Sequence, residues 1–172
     1  MNLSLASPRK KRKLDVVLPD VTPLDKLFIK TLNAGKDEEK KLLALYGPVY
    51  FTSPALKATV HGTCLNAGKN SAAAGAAAFW GINSARNRSA CIWGPQTGPR
   101  AELLGLLVAL QAAPTHKSLE ISTRSEYVIR SVVYYAAKND ACGWRCVNGD
   151  LLKTLIAAIK LRTAPLNLRH IK

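Results

Sequence analysis

Hydrophobic and polar positions change rhythm along the chain. Leu24, Leu27, Phe28 and Leu32 recur at helical spacing and predict a short amphipathic helix over residues 23–33. Gly35, Lys36 and Asp37 are expected to end it, with a second short helix over 37–46. From Lys57 the texture tightens. Residues 58–60 predict a short strand that runs into His61, Gly62 and Thr63. Residues 74–80 predict a strand of small residues with aromatics at its end, and the alternation over 87–93 predicts a third. Pro99 opens an apolar helix in which Leu103, Leu106, Leu107 and Leu110 repeat every three or four residues, and Pro114 stops it. A fourth strand is expected over 119–123. A helix over 125–137 follows, with Val128, Val132 and Tyr135 on one face. Asp150 is expected to cap a helix over 151–161, and residues 166–171 to form a last strand. Three strands, a helix, a strand, two helices and a strand signal an α/β layer fold with a mixed sheet. The expected division is an arm over 1–54 and a folded domain over 55–172.

The chain has 172 residues, 48% of them hydrophobic, which suits one domain with an appendage and excludes wholesale disorder. No apolar run approaches the roughly 20 residues that span a bilayer, so no membrane partner is expected. The apolar start, Met1 to Ala6, precedes a basic block, the reverse of a secretory signal. Cys64, Cys91, Cys142 and Cys146 complete no zinc pattern and read as free thiols in a reducing compartment. Gly62 to Lys69 looks superficially like a phosphate-binding loop. Its spacing is too long and Asn70 replaces the Ser or Thr that holds magnesium, so a hairpin loop is the reading.

Charge changes the picture more. Lys and Arg total 25 against 11 Asp and Glu, a net +14 that favours an anionic partner, nucleic acid first. Arg9, Lys10, Lys11, Arg12 and Lys13 read as a nuclear import signal, which implies an import carrier and a nuclear location. The excess continues beyond Lys57. Arg86 and Arg88, two apart and expected on one strand face, join Arg100, Arg124, Arg130 and Arg145 as candidates for contact with a nucleic-acid backbone. Trp144 and Trp93 are candidates to stack or pack against sugars, and Trp80 is assigned to the core.

Three ordered segments carry a family resemblance. They are Val60-His61-Gly62-Thr63-Cys64, Gln96-Thr97-Gly98-Pro99-Arg100-Ala101-Glu102-Leu103-Leu104, and Thr123-Arg124-Ser125-Glu126-Tyr127-Val128-Ile129. Gly143-Trp144, Asn148-Gly149-Asp150-Leu151-Leu152 and the terminal Leu168-Arg169-His170-Ile171-Lys172 support them. Together they resemble the ribonuclease H type 1 family over about residues 57–172, closest in texture to fungal members. The resemblance implies an RNase H-like three-layer fold, a mixed, roughly five-stranded sheet flanked by helices. It implies cleavage of the RNA strand of an RNA–DNA hybrid by two magnesium ions. It further implies four carboxylates and a mobile His.

Glu102 falls on the family's helix Glu, but His61 and Arg124 fall on two of its Asp positions. The chain ends at Lys172 before counterparts of the late His and last Asp, so a C-terminally truncated domain is expected. A guanidinium about 5 Å from a divalent ion is repelled by roughly 6–7 kcal/mol at an effective dielectric near 20. Arg cannot shed its proton to relieve this. The expectation is therefore a catalytically inactive relative that retains binding to hybrid or duplex. No metal or cofactor is expected, with magnesium or manganese required only if cleavage survives. The alternatives are an active hybrid endoribonuclease with an unusual site, or a protein-interaction module or retroelement remnant. Arg124 is expected to neutralise Glu102, and Thr123 with Glu126 to cap the helix that follows.

Overall fold

The structure, a computed structural model, describes residues 23–50 and 54–172. The basic block at 9–13 lies outside the described residues. The chain divides after Gly35 into two units. The second starts at Lys36, earlier than the expected boundary at residue 55.

Helix α1 spans Pro23–Tyr46 without a break, where two short helices were expected. Gly35 alone does not stop it. Glycine in a helix costs about 1 kcal/mol relative to alanine, far less than proline. In the first unit Leu27, Phe28, Ile29 and Leu32 are exposed. In the second, Tyr46 Oη donates to the carbonyl of Val132 at 2.7 Å, tying the end of α1 to the domain.

The domain runs β1 (Leu56–Leu65), β2 (Ala73–Phe79), β3 (Arg88–Cys91), α2 (Gly98–Ala112), β4 (Leu119–Thr123), α3 (Glu126–Val133), α4 (Ala136–Ala141), α5 (Gly149–Lys160) and β5 (Leu166–His170). The strands form one sheet in the order β3-β2-β1-β4-β5. β1 pairs antiparallel with β2 and parallel with β4, and β4 pairs parallel with β5, so the sheet is mixed as expected. β1 is far longer than the expected 58–60. Its second half, 61–65, is held by pairing with β2 and not by its own pattern. Gly68 and Lys69 fall in the hairpin turn that follows.

Alternate residues of each strand face a helical layer. Ala58, Val60, Ala74, Ala76, Ala78, Leu119 and Ile121 are buried there. α2 lies on this face beneath α5 and is buried almost all round, Leu103, Leu106 and Ala109 completely. A helix apolar on every side belongs at such a centre. The opposite face, with Thr59, His61, Thr63, Ala77 and Phe79, is exposed.

The helix expected over 125–137 divides into α3 and α4. Tyr134 and Tyr135 interrupt it, exposed, while Ala136 turns inward and is fully buried. Two further expectations about caps are corrected. Ser125, not Thr123, caps α3, accepting from the amide of Val128, and Glu126 pairs with Arg130 at 2.8 Å. Asn148, in a left-handed conformation, is the N-cap residue of α5, and Asp150 stands inside its first turn.

Candidate active site and nucleic-acid interface

The last β1–β4 pair is Val60 with Thr123. Beyond it the strands part, and the next residues are His61 and Arg124. The carboxyl ends of parallel strands are where α/β sheets place ligands. Thr123 is fully buried and its Oγ1 accepts from the amide of Ser125, which sets the turn into α3.

Gly62 brings Glu102 to this point. A Cβ on Gly62 would overlap the backbone of Ala101 and Glu102. Only glycine lets the first turn of α2 settle on β1 so closely. Thr97 starts that turn, accepting from the amide of Arg100, and Pro99 occupies a position that needs no donor. Glu102 Oε1 then lies 3.4 Å from His61 Nδ1. The imidazole is mostly exposed while the Glu102 side chain is 13% exposed. Glu102 Oε2 is buried with no hydrogen-bond partner among the described residues.

Arg124 does not take the expected place beside Glu102. It is exposed, and Glu102 meets His61 instead. The Arg124 carbonyl lies 3.2 Å from His170 Nε2 at the end of β5. Among the described residues no group of three or more His, Cys, Asp or Glu side chains could hold a metal ion. One carboxylate and one imidazole do not supply the oxygen-rich shell that two magnesium ions need.

Arg100 is corrected outright as a surface contact. It is 2% exposed. Its Nη1 and Nη2 donate to the two oxygens of Asp150 at 2.8 and 2.5 Å, and Nε donates to the Trp93 carbonyl at 2.9 Å. Its guanidinium carbon lies 5.8 Å from the centre of the Trp93 ring, at cation–π distance. The Arg100 guanidinium holds Asp150 down to a pKa of about 2. Asn148 joins the cluster by donating to the Tyr127 hydroxyl at 3.1 Å.

The other candidate contact cations are exposed. Arg86 lies in a turn and not on the strand face it was expected to share with Arg88. Arg88 opens β3 and donates to the carbonyls of Ala85 and Asn87. Arg130 is tied to Glu126 and Arg145 is exposed. Trp144 packs partly against the core, with φ +60°, and donates from Nε1 to Asp140 at 3.0 Å. Trp93 is 51% exposed, while Trp80 packs against the core as expected.

The sequence reading missed the open sheet face. His61 and Thr63 border a groove of about 420 Å³ floored by Gly75, Ala76 and Ala77 and closed by Ser89 and Cys91. Phe79 of β2 is 51% exposed on the same face. The run from Ala73 to Phe79 is apolar throughout, so periodicity does not tell its two faces apart. The adjacent aromatics Phe79 and Trp80 at its end were the available signal, since neighbouring strand residues face opposite sides.

The family model for RNase H matches residues 57–172. No curated protein sequence matches the chain. Among solved structures, the foamy viral protease–reverse transcriptase in complex with dsDNA is 20% identical, TM-score 0.55, over 69% of this chain and 81% of that one. The prototype foamy virus RNase H domain is 16% identical, TM-score 0.53, over 67% of this chain and 78% of that one. The foamy viral protease–reverse transcriptase in complex with RNA/DNA hybrid is 18% identical, TM-score 0.54, over 91% of this chain and 21% of that one. These neighbours share the fold. The mixed sheet in the order β3-β2-β1-β4-β5, with Glu102 brought against β1 by Gly62, thus belongs to a chain that is a member of the RNase H family.

Proposed function

We propose that this protein is a relative of the RNA–DNA hybrid ribonucleases that has kept nucleic-acid binding and lost cleavage, and that residues 9–13 address it to the nucleus. The observation that carries the reading is the donor set where β1 and β4 part. Glu102 faces an imidazole, and Arg124 follows the end of β4. Two-metal hydrolysis needs several hard oxygen ligands around one phosphate. This set does not fit that requirement.

Binding asks less of the site. Exposed Arg86 lies in the turn before β3, exposed Arg88 opens that strand opposite Ala78 and so on the other face from Ser89, Arg124 follows β4, and Phe79 and Trp93 are exposed aromatics. Guanidinium groups match phosphate geometry, and base or sugar faces pack on aromatic rings. Two structural neighbours carry nucleic acid, dsDNA in one and RNA/DNA hybrid in the other, which supports the same class of partner.

The test is a labelled RNA–DNA hybrid incubated with the full chain and magnesium or manganese. The expected result is a shifted complex with intact RNA. Cleavage that disappears in Glu102→Ala would overturn the reading.

A further inference from the structure

The domain buries two arginines, and they differ in what they find. Arg100 is satisfied by Asp150 and the Trp93 carbonyl. Arg162, 4% exposed and just after α5, donates from Nη2 to the Lys117 carbonyl. Its Nε and Nη1 are buried with no acceptor among the described residues. A buried cation left partly unpaired is costly, and Arg cannot neutralise itself. Neither nitrogen is open to solvent, so an anion reaches them only where the groove wall gives way slightly, and there it would remove that cost.

Arg162 also forms part of the wall of an apolar groove of about 450 Å³. Leu43 and Tyr46 of α1, Val132 of α3, Ile159 of α5 and Leu168 of β5 make up much of the rest. The Tyr46 hydroxyl is already committed to Val132, so Arg162 is the charged group of this lining. None of the lining residues belongs to the groove at His61. The volume is that of a small-molecule pocket, where apolar walls supply affinity and a few polar groups fix orientation.

We propose that this groove binds a small amphiphilic carboxylic acid, with its hydrocarbon tail against Val132, Ile159 and Leu168 and its carboxylate on Arg162. A charge-assisted hydrogen bond formed out of water is the strong kind, so acid and alcohol of equal length are separated clearly.

Calorimetric titration of the full chain with octanoate, 1-octanol and acetate tests this. Octanoate binds about tenfold or more tighter than 1-octanol, and acetate gives no measurable heat. Arg162→Met, which keeps most of the volume, lowers octanoate affinity to that of 1-octanol and leaves 1-octanol unchanged. Amide chemical shifts of the unaltered protein provide a second measurement that survives if the variant does not fold. Octanoate then moves Val132, Ile159 and Leu168. Equal affinity for acid and alcohol, octanoate binding to Arg162→Met at full strength, no binding of octanoate, or shifts confined elsewhere would each overturn the proposal.

Discussion

Gly62 shows how much one residue decides here. The space its missing Cβ leaves is filled by the backbone of Ala101 and Glu102. Adding a methyl group forces α2 off β1, and overpacking of this kind costs about 1–3 kcal/mol. Gly62→Ala is therefore expected to lower the urea midpoint strongly. Gly75→Ala provides the control, since a Cβ there meets only the Ala90 carbonyl at 3.5 Å, an ordinary contact. Equal effects of the two substitutions would refute the packing account. The sequence flagged Gly62 through its place in a motif. It did not reveal that the partner is the backbone that carries Glu102, because that contact joins residues forty positions apart. Arg100 carries the same lesson with opposite sign. A cation beside a proline reads as surface until the fold places Asp150 against it.

At the level of elements, that ion pair fastens the start of α2 to the first turn of α5. Asp150 is pulled from 3.8 to about 2 by Arg100, so the linkage has a definite sign. The stabilisation is complete above the ordinary carboxylate range and is lost as pH falls from about 4 towards 2. Asp150 is 61% exposed, and solvent screens the pair. After that discount a contribution of about 1–2 kcal/mol at pH 7 is expected. Urea denaturation of the parent and Asp150→Asn should show a gap of that size at pH 7 that closes as pH approaches 2. A gap independent of pH would mean that the pair is not its source. Element boundaries were legible where prolines punctuate the chain, as at Pro99 and Pro114. They failed where partners decide. Pairing with β2 extends β1 as far as Leu65, and burial of Ala136 splits the helix expected over 125–137.

For the whole molecule, the net +14 becomes a statement about salt. If Arg86, Arg88, Arg124 and Arg145 each displace a counterion, log affinity for duplex or hybrid falls with log salt with a slope of about −3 to −4. Fluorescence anisotropy across a salt series measures this. Deleting residues 1–14 should shift the curve and leave most of the slope. A slope near zero after the deletion would assign binding to the basic block and not to the folded domain.

The sequence by itself determined the α/β class, the order of most strands and helices, the basic excess and the motifs that carry the family resemblance. These follow from local pattern, composition and matched motifs, which need no knowledge of neighbours. Tertiary structure alone decided which polar side chains meet. It placed Glu102 beside His61 instead of Arg124, buried Arg100 on Asp150, and left Arg162 buried with two nitrogens unpaired among the described residues. Ion pairing depends on distances between residues far apart in the chain, and only the packed sheet and helices fix those distances.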